Sequence, residues 1–174
     1  ISGYNDITFK TSGLLQTLQF DLFENLNIDG IEMNFFSLNY KREGNAFFVE
    51  PAEKLEKSVM YKMRIYYSGK PTVAERAPWD GGFIWNKSAS GKPWISVACE
   101  GFGASSWYPC KDHLSDEPDS GMTITIIVPD SLQAISNGRL IYTGSVDTDQ
   151  DIIYSEHKVF KWQVTYPINV YNAT

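Results

Sequence analysis

Five carboxylates and one histidine fall within SVACEGFGASSWYPCKDHLSDEPDS, residues 96 to 120. Glu100 closes the apolar run PWISVACE. Desolvating a lone carboxylate is costly, so Glu100 either pairs with a buried cation or faces a ligand. Asp112, Asp116, Glu117 and Asp119 follow in a polar segment around His113. Two acids about 5 to 10 Å apart would suit glycoside hydrolysis, but sequence sets no distance between Glu100 and Glu117.

Other catalytic patterns are missing. His113 and His157 are the only histidines, and neither belongs to a His-Glu-x-x-His helix. There is no Gly-x-Ser-x-Gly elbow and no phosphate loop. His157 reads as a surface residue, and His113 as a hydrogen-bond partner of a nearby carboxylate. Asp147, Asp149 and Asp151 have a calcium-like spacing, but Ile152 stands where glycine is needed and Lys158 where a bidentate Glu belongs. A solvated hairpin turn fits better. Cys99 and Cys110 lack further ligands at metal spacing; they read as buried thiols, with a disulfide open in an oxidising compartment. Trp79, Phe83, Trp85, Trp94 and Trp107 offer core packing or, as the second reading, a sugar-stacking surface. Asn86-Lys87-Ser88 and Asn172-Ala173-Thr174 are formal glycosylation sequons.

The elements that must position these groups are strands. Leu18, Phe20 and Leu22 alternate with polar residues. So do Val59, Tyr61, Met63, Ile65 and Tyr67, then Met122, Ile124, Ile126 and Val128, then Phe160, Trp162 and Val164. Shorter runs, FFSLNY, AFFVE, GFIW, PWISVA, RLIYT and DIIYS, carry the same β-branched and aromatic signal. Turns are expected at Asp29-Gly30, Glu43-Gly44-Asn45, Ser68 to Pro71, Asn137-Gly138 and Gly144 to Gln150. PAEKLEKS offers one helical turn at most. The expectation is all-β: antiparallel sheets in a saddle-like or sandwich domain.

The chain has 174 residues and a formal charge of −6, the size of one domain with a real core. That charge argues against nucleic acid as a partner and suits a site for cationic groups. No apolar run reaches membrane-spanning length. ISGYNDITFK reads as a start inside a domain, and TYPINVYNAT as a strand exit after Pro167 into a continuing chain.

The order Gly82-Phe83, Cys99-Glu100, Pro109-Cys110, Asp116-Glu117-Pro118, Ser136-Asn137 resembles the N-terminal domain of gluzincin-type zinc aminopeptidases, in a bacterial branch. That family includes membrane alanyl aminopeptidases and leukotriene hydrolase. The likeness is strongest over about residues 60 to 145. Lys111 to Ser115 intervene between Cys110 and the Asp-Glu-Pro turn, and GASSWY replaces an Arg-rich segment; both depart from the usual pattern.

The resemblance implies one β domain over residues 1–174, truncated at its start, with a catalytic domain beyond it. It implies no catalytic residue and no metal ligand here, with zinc in the full-length parent. Glu100 matches the family position that binds the substrate's free α-amino group, with Cys99 beside it. Asp116, Glu117 and Pro118 match a structural turn. Expected partners are the parent's catalytic zinc domain and a peptide N-terminus; the domain alone is expected to self-associate. The second reading is a stand-alone carbohydrate-binding or interaction β-sandwich. A periplasmic or secreted bacterial protein is compatible with these features.

Overall fold

The alternating run around Met63 becomes the strand that organises the largest sheet. The computed structural model describes residues 1–77, 79–145 and 156–174; the DTDQD acids and the DIIYS run lie outside them. Strands β1 (Ser2–Lys10), β3 (Leu26–Met33), β4 (Phe36–Ser37) and β7 (Met60–Gly69) form an antiparallel sheet ordered β1-β7-β3-β4. Met63, Ile65 and Tyr67 of β7 are buried, while Lys62 is exposed and Arg64 half-buried on the opposite face. There Arg64 forks onto Asp6 with two bonds of 2.7 Å and lies over the Tyr4 ring at 3.9 Å.

Asp29-Gly30 is not the expected turn. Both residues lie inside β3, at a bulge between Ile28 and Gly30. The reason is side-chain phase. A strand alternates faces, and one extra residue reverses the alternation. Leu26 and Ile28 precede the bulge, Ile31 and Met33 follow it, and all four are buried. The true reversal comes at Asn34 and Phe35, with φ of 52° and 69°, in the two-residue connection to β4. Both angles fit the positive-φ hairpin turn that matches strand twist.

A second sheet, β2 (Leu18–Asp21), β6 (Ala46–Val49) and β5 (Tyr40–Glu43), packs its apolar side against the first. Phe20, Leu22, Phe47 and Val49 join Leu26, Ile31, Met63 and Ile65 in one buried cluster. Phe20 and Phe47 stack with centroids 5.8 Å apart. Arg42 ties this layer together, donating to the carbonyls of Leu26 at 2.7 Å and Leu22 at 2.6 Å. As expected, Gly44 turns β5 into β6, at φ 59°.

Two further units complete the all-β architecture. β8 (Gly82–Lys87) and β9 (Pro93–Ala98) pair as an antiparallel hairpin. β10 (Met122–Pro129), β12 (His157–Val164) and β11 (Arg139–Ser145) form a sheet in that spatial order. Alternation in β10 is complete: Met122, Ile124, Ile126 and Val128 are half-buried and the residues between them exposed. The PAEKLEKS segment forms no helix; Leu55 is buried and bridges Leu15. No helix among the described residues is long and apolar enough to cross a membrane.

Candidate functional site

The site begins where β9 stops. The strand ends at Ala98, two residues before Glu100, so the carboxylate stands on a turn rather than on the strand itself. Cys99 is buried, and its carbonyl accepts the N–H groups of Phe102 at 3.0 Å and Gly103 at 2.8 Å. The chain reverses there, and Glu100 projects into solvent. A side chain at Gly81 would collide with the Glu100 carbonyl oxygen, so glycine lets the start of the hairpin approach this turn.

The following residues lock the turn to the body of the domain. Ala104–Ser106 form a buried 3-10 turn. The Asp112 carboxylate accepts its N–H groups, from Ala104 at 3.3 Å and Ser105 at 2.9 Å. Asp21 and Cys110 exchange two backbone bonds of 2.8 and 3.1 Å. Asp21 also accepts the Asp112 N–H at 3.2 Å, and the Phe23 N–H reaches the Ser105 carbonyl at 2.9 Å. Asn5 of β1 donates to the Pro109 carbonyl at 2.8 Å. The loop is thus fixed to β1 and to the chain leaving β2 at Asp21 and Phe23.

The tail arrives on the same loop. The Tyr108 hydroxyl donates to the Val170 carbonyl at 3.0 Å, and the Val170 N–H to the Asp116 carbonyl at 3.2 Å. The neighbouring Tyr171 hydroxyl donates to Glu100 Oε2 at 3.0 Å. Of the two readings left open for Glu100, the buried cation fails. The residue is exposed, and no lysine or arginine among the described residues pairs with it. A shallow depression of about 520 Å³ adjoins this corner, with Asp21, Phe23, Phe102, Asp112 and Tyr171 in its wall.

The acids of the Asp116-Glu117-Pro118 turn make contacts of their own. Asp116 receives Lys111 Nζ at 3.2 Å, its N–H meets the His113 carbonyl at 2.8 Å, and the Pro118 carbonyl accepts from Gly121 at 2.8 Å. Glu117 is exposed. His113 Nδ1 meets the Ser115 hydroxyl at 2.7 Å, not a carboxylate. Ser136 and Asn137 hold the end of the chain: Ser136 donates to the Thr174 carbonyl, and Asn137 accepts the Thr174 N–H at 2.8 Å.

Cys99 and Cys110 are free and buried. Burial raises the Cys99 thiol to about 11 and pushes Cys110 well above the thiol range, so neither is a nucleophile at neutral pH. The tryptophans depart from the core expectation: Trp79, Trp85 and Trp94 are 80%, 55% and 60% exposed. Trp85 pairs with Ile95 while Trp94 pairs with Asn86, so the two rings lie on opposite faces of the hairpin. They form no single stacking platform. No group of three or more His, Cys, Asp or Glu among the described residues could hold a metal ion.

The Peptidase M1 N-terminal domain family matches residues 4–171. The chain belongs to this family. The fold is similar to that of an M1 zinc metallopeptidase from Deinococcus radiodurans, with TM-score 0.75 and 19% identity over 98% of this chain and 36% of that one. It is also similar to yeast LTA4 hydrolase in complex with bestatin, with TM-score 0.65 and 18% identity over 98% of this chain and 24% of that one. This M1 N-terminal domain therefore spans about a third or less of those proteins. No curated protein matches it.

Sequence reasoning missed Tyr171. It lies 71 residues from Glu100, in a tail with no strand pattern, so no local signal joined the two.

Proposed function

We propose that this M1 N-terminal domain is the non-catalytic, substrate-anchoring part of a zinc aminopeptidase, and that Glu100 receives the free α-amino group of the peptide. The observation that carries this reading is an exposed carboxylate on a tightly bonded turn, with a hydroxyl partner and, among the described residues, no cationic one.

An α-ammonium offers three donors and no acceptor, and an ionised carboxylate is its complement. Such a charge-assisted contact contributes about 1.5 to 3 kcal/mol. Holding the amine also sets which peptide bond lies at the reacting centre, so part of the binding serves position. In this reading the zinc ligands belong to a catalytic domain outside this chain. The metal there would act as a Lewis acid on the scissile carbonyl. Asp116, Glu117 and Pro118 belong to the frame: Asp116 takes Val170 and Lys111, and Pro118 closes the turn onto Gly121. Cys99 supports the Glu100 turn through its backbone while its side chain stays buried.

Glu100→Ala in the full-length enzyme should lower kcat/KM for an aminoacyl-arylamide by tens-fold or more, roughly 2 to 3 kcal/mol. An unchanged kcat/KM rules out the role given to Glu100. Carbohydrate binding, the other class of function, is less well supported because Trp85 and Trp94 face opposite ways.

A further inference from the structure

The hydroxyl on Glu100 comes from Tyr171, in the tail of the chain. We infer that Tyr171 is a positioning residue for amine recognition: its phenol holds Oε2 of Glu100 and leaves Oε1 to the ammonium. The inference rests on the assignment of Glu100 as the amine-binding group.

Three observations carry it. The bond is 3.0 Å long, and the Glu100 carboxylate takes no other side-chain partner among the described residues. It is exposed, and an exposed hydrogen bond between two mobile side chains adds little to stability. Yet both ends are held by the backbone. The Cys99 carbonyl fixes the Glu100 turn, at 2.8 Å to Gly103. Tyr108, Asp116 and the Asn169 side chain, which accepts the Asn172 N–H at 3.1 Å, fix the turn that bears Tyr171.

The choice of donor is the chemical point. A lysine or arginine in this place would neutralise the carboxylate and compete with the substrate's ammonium. A phenol orients the carboxylate and leaves its charge intact. The hydrogen bond to Glu100, with the carboxylate charge behind it, in turn raises the Tyr171 pKa.

The test uses the full-length enzyme and two zinc-chelating inhibitors, an α-aminoacyl hydroxamate and its des-amino counterpart. The ratio of their inhibition constants reads the contribution of the amine alone. Tyr171→Phe should shrink that ratio roughly three- to tenfold and leave the des-amino constant unchanged. Glu100→Ala should collapse the ratio, and adding Tyr171→Phe to it should cost nothing more. If Glu100→Ala collapses the ratio and Tyr171→Phe does not, the positioning role is overturned while Glu100 keeps its own. If Glu100→Ala leaves the ratio intact, both fall. Equal shifts of both constants in Tyr171→Phe mark a merely structural residue and also overturn the inference. A second measurement leaves the phenol in place: Glu100→Gln should lower the pKa of Tyr171 in an NMR titration. No change there means that the bond does not form in solution.

Discussion

Gly103 and Asp112 occupy each other's space: a Cβ on Gly103 would fall on the Asp112 carboxylate, and Gly103 sits at φ 86°. The carboxylate can bond the N–H groups of Ala104 and Ser105 only because residue 103 has no side chain. This pair sets the path of the chain directly after Glu100.

Asp112→Ala should therefore cost about 1 to 2 kcal/mol of stability, since it strands two N–H groups in a part-buried turn. Gly103→Ala should cost at least as much, from steric conflict and positive-φ strain together. Urea unfolding checks both. An Asp112→Ala midpoint equal to wild type would show that the carboxylate does not hold the loop.

The bulge at Asp29 gives a sharper expectation. Deleting Asp29 removes the extra residue and leaves Leu26, Ile28, Ile31 and Met33 in regular alternation on one face, the face that meets the core. Cooperative unfolding should be retained. Asp29→Ala keeps the residue count and loses only the bond from the Ser68 hydroxyl, 3.1 Å long and exposed, so its stability should change by less than about 1 kcal/mol. Circular dichroism melts of the two variants separate residue number from residue chemistry. Loss of cooperative unfolding in the deletion variant would contradict the phase argument.

The thiols predict an alkaline limit. Burial raises Cys99 from 9.0 to about 11 in the folded state. The unfolded chain loses this proton first, so the contribution is full below about pH 9 and is lost as pH rises toward 11. Cys110, shifted the same way, adds to the slope. Stability measured from pH 8 to 10.5 should fall, and fall less in Cys99→Ala relative to its own value at pH 8. Thiol reagents at pH 8 should label the native protein slowly and the urea-unfolded protein at once.

The sequence alone determined the strand class, because period-two alternation is a local property with a local cause: one face of each strand meets the core. It placed Met63, Ile65 and Tyr67 on one side of β7, and Ile124 and Ile126 on one side of β10, where the structure has them. It also carried the order of motifs that marks the family. It misread Asp29-Gly30, since the same dipeptide serves a turn or a bulge, and only pairing with Tyr66 and Tyr67 decides. It expected core tryptophans where Trp85 and Trp94 lie exposed on a two-stranded hairpin. The surroundings of Glu100 belonged wholly to tertiary structure. Asp21, Asp112 and Tyr171 reach that corner from three parts of the chain, and no spacing along the sequence encodes a contact that depends on how separate sheets and a returning tail pack.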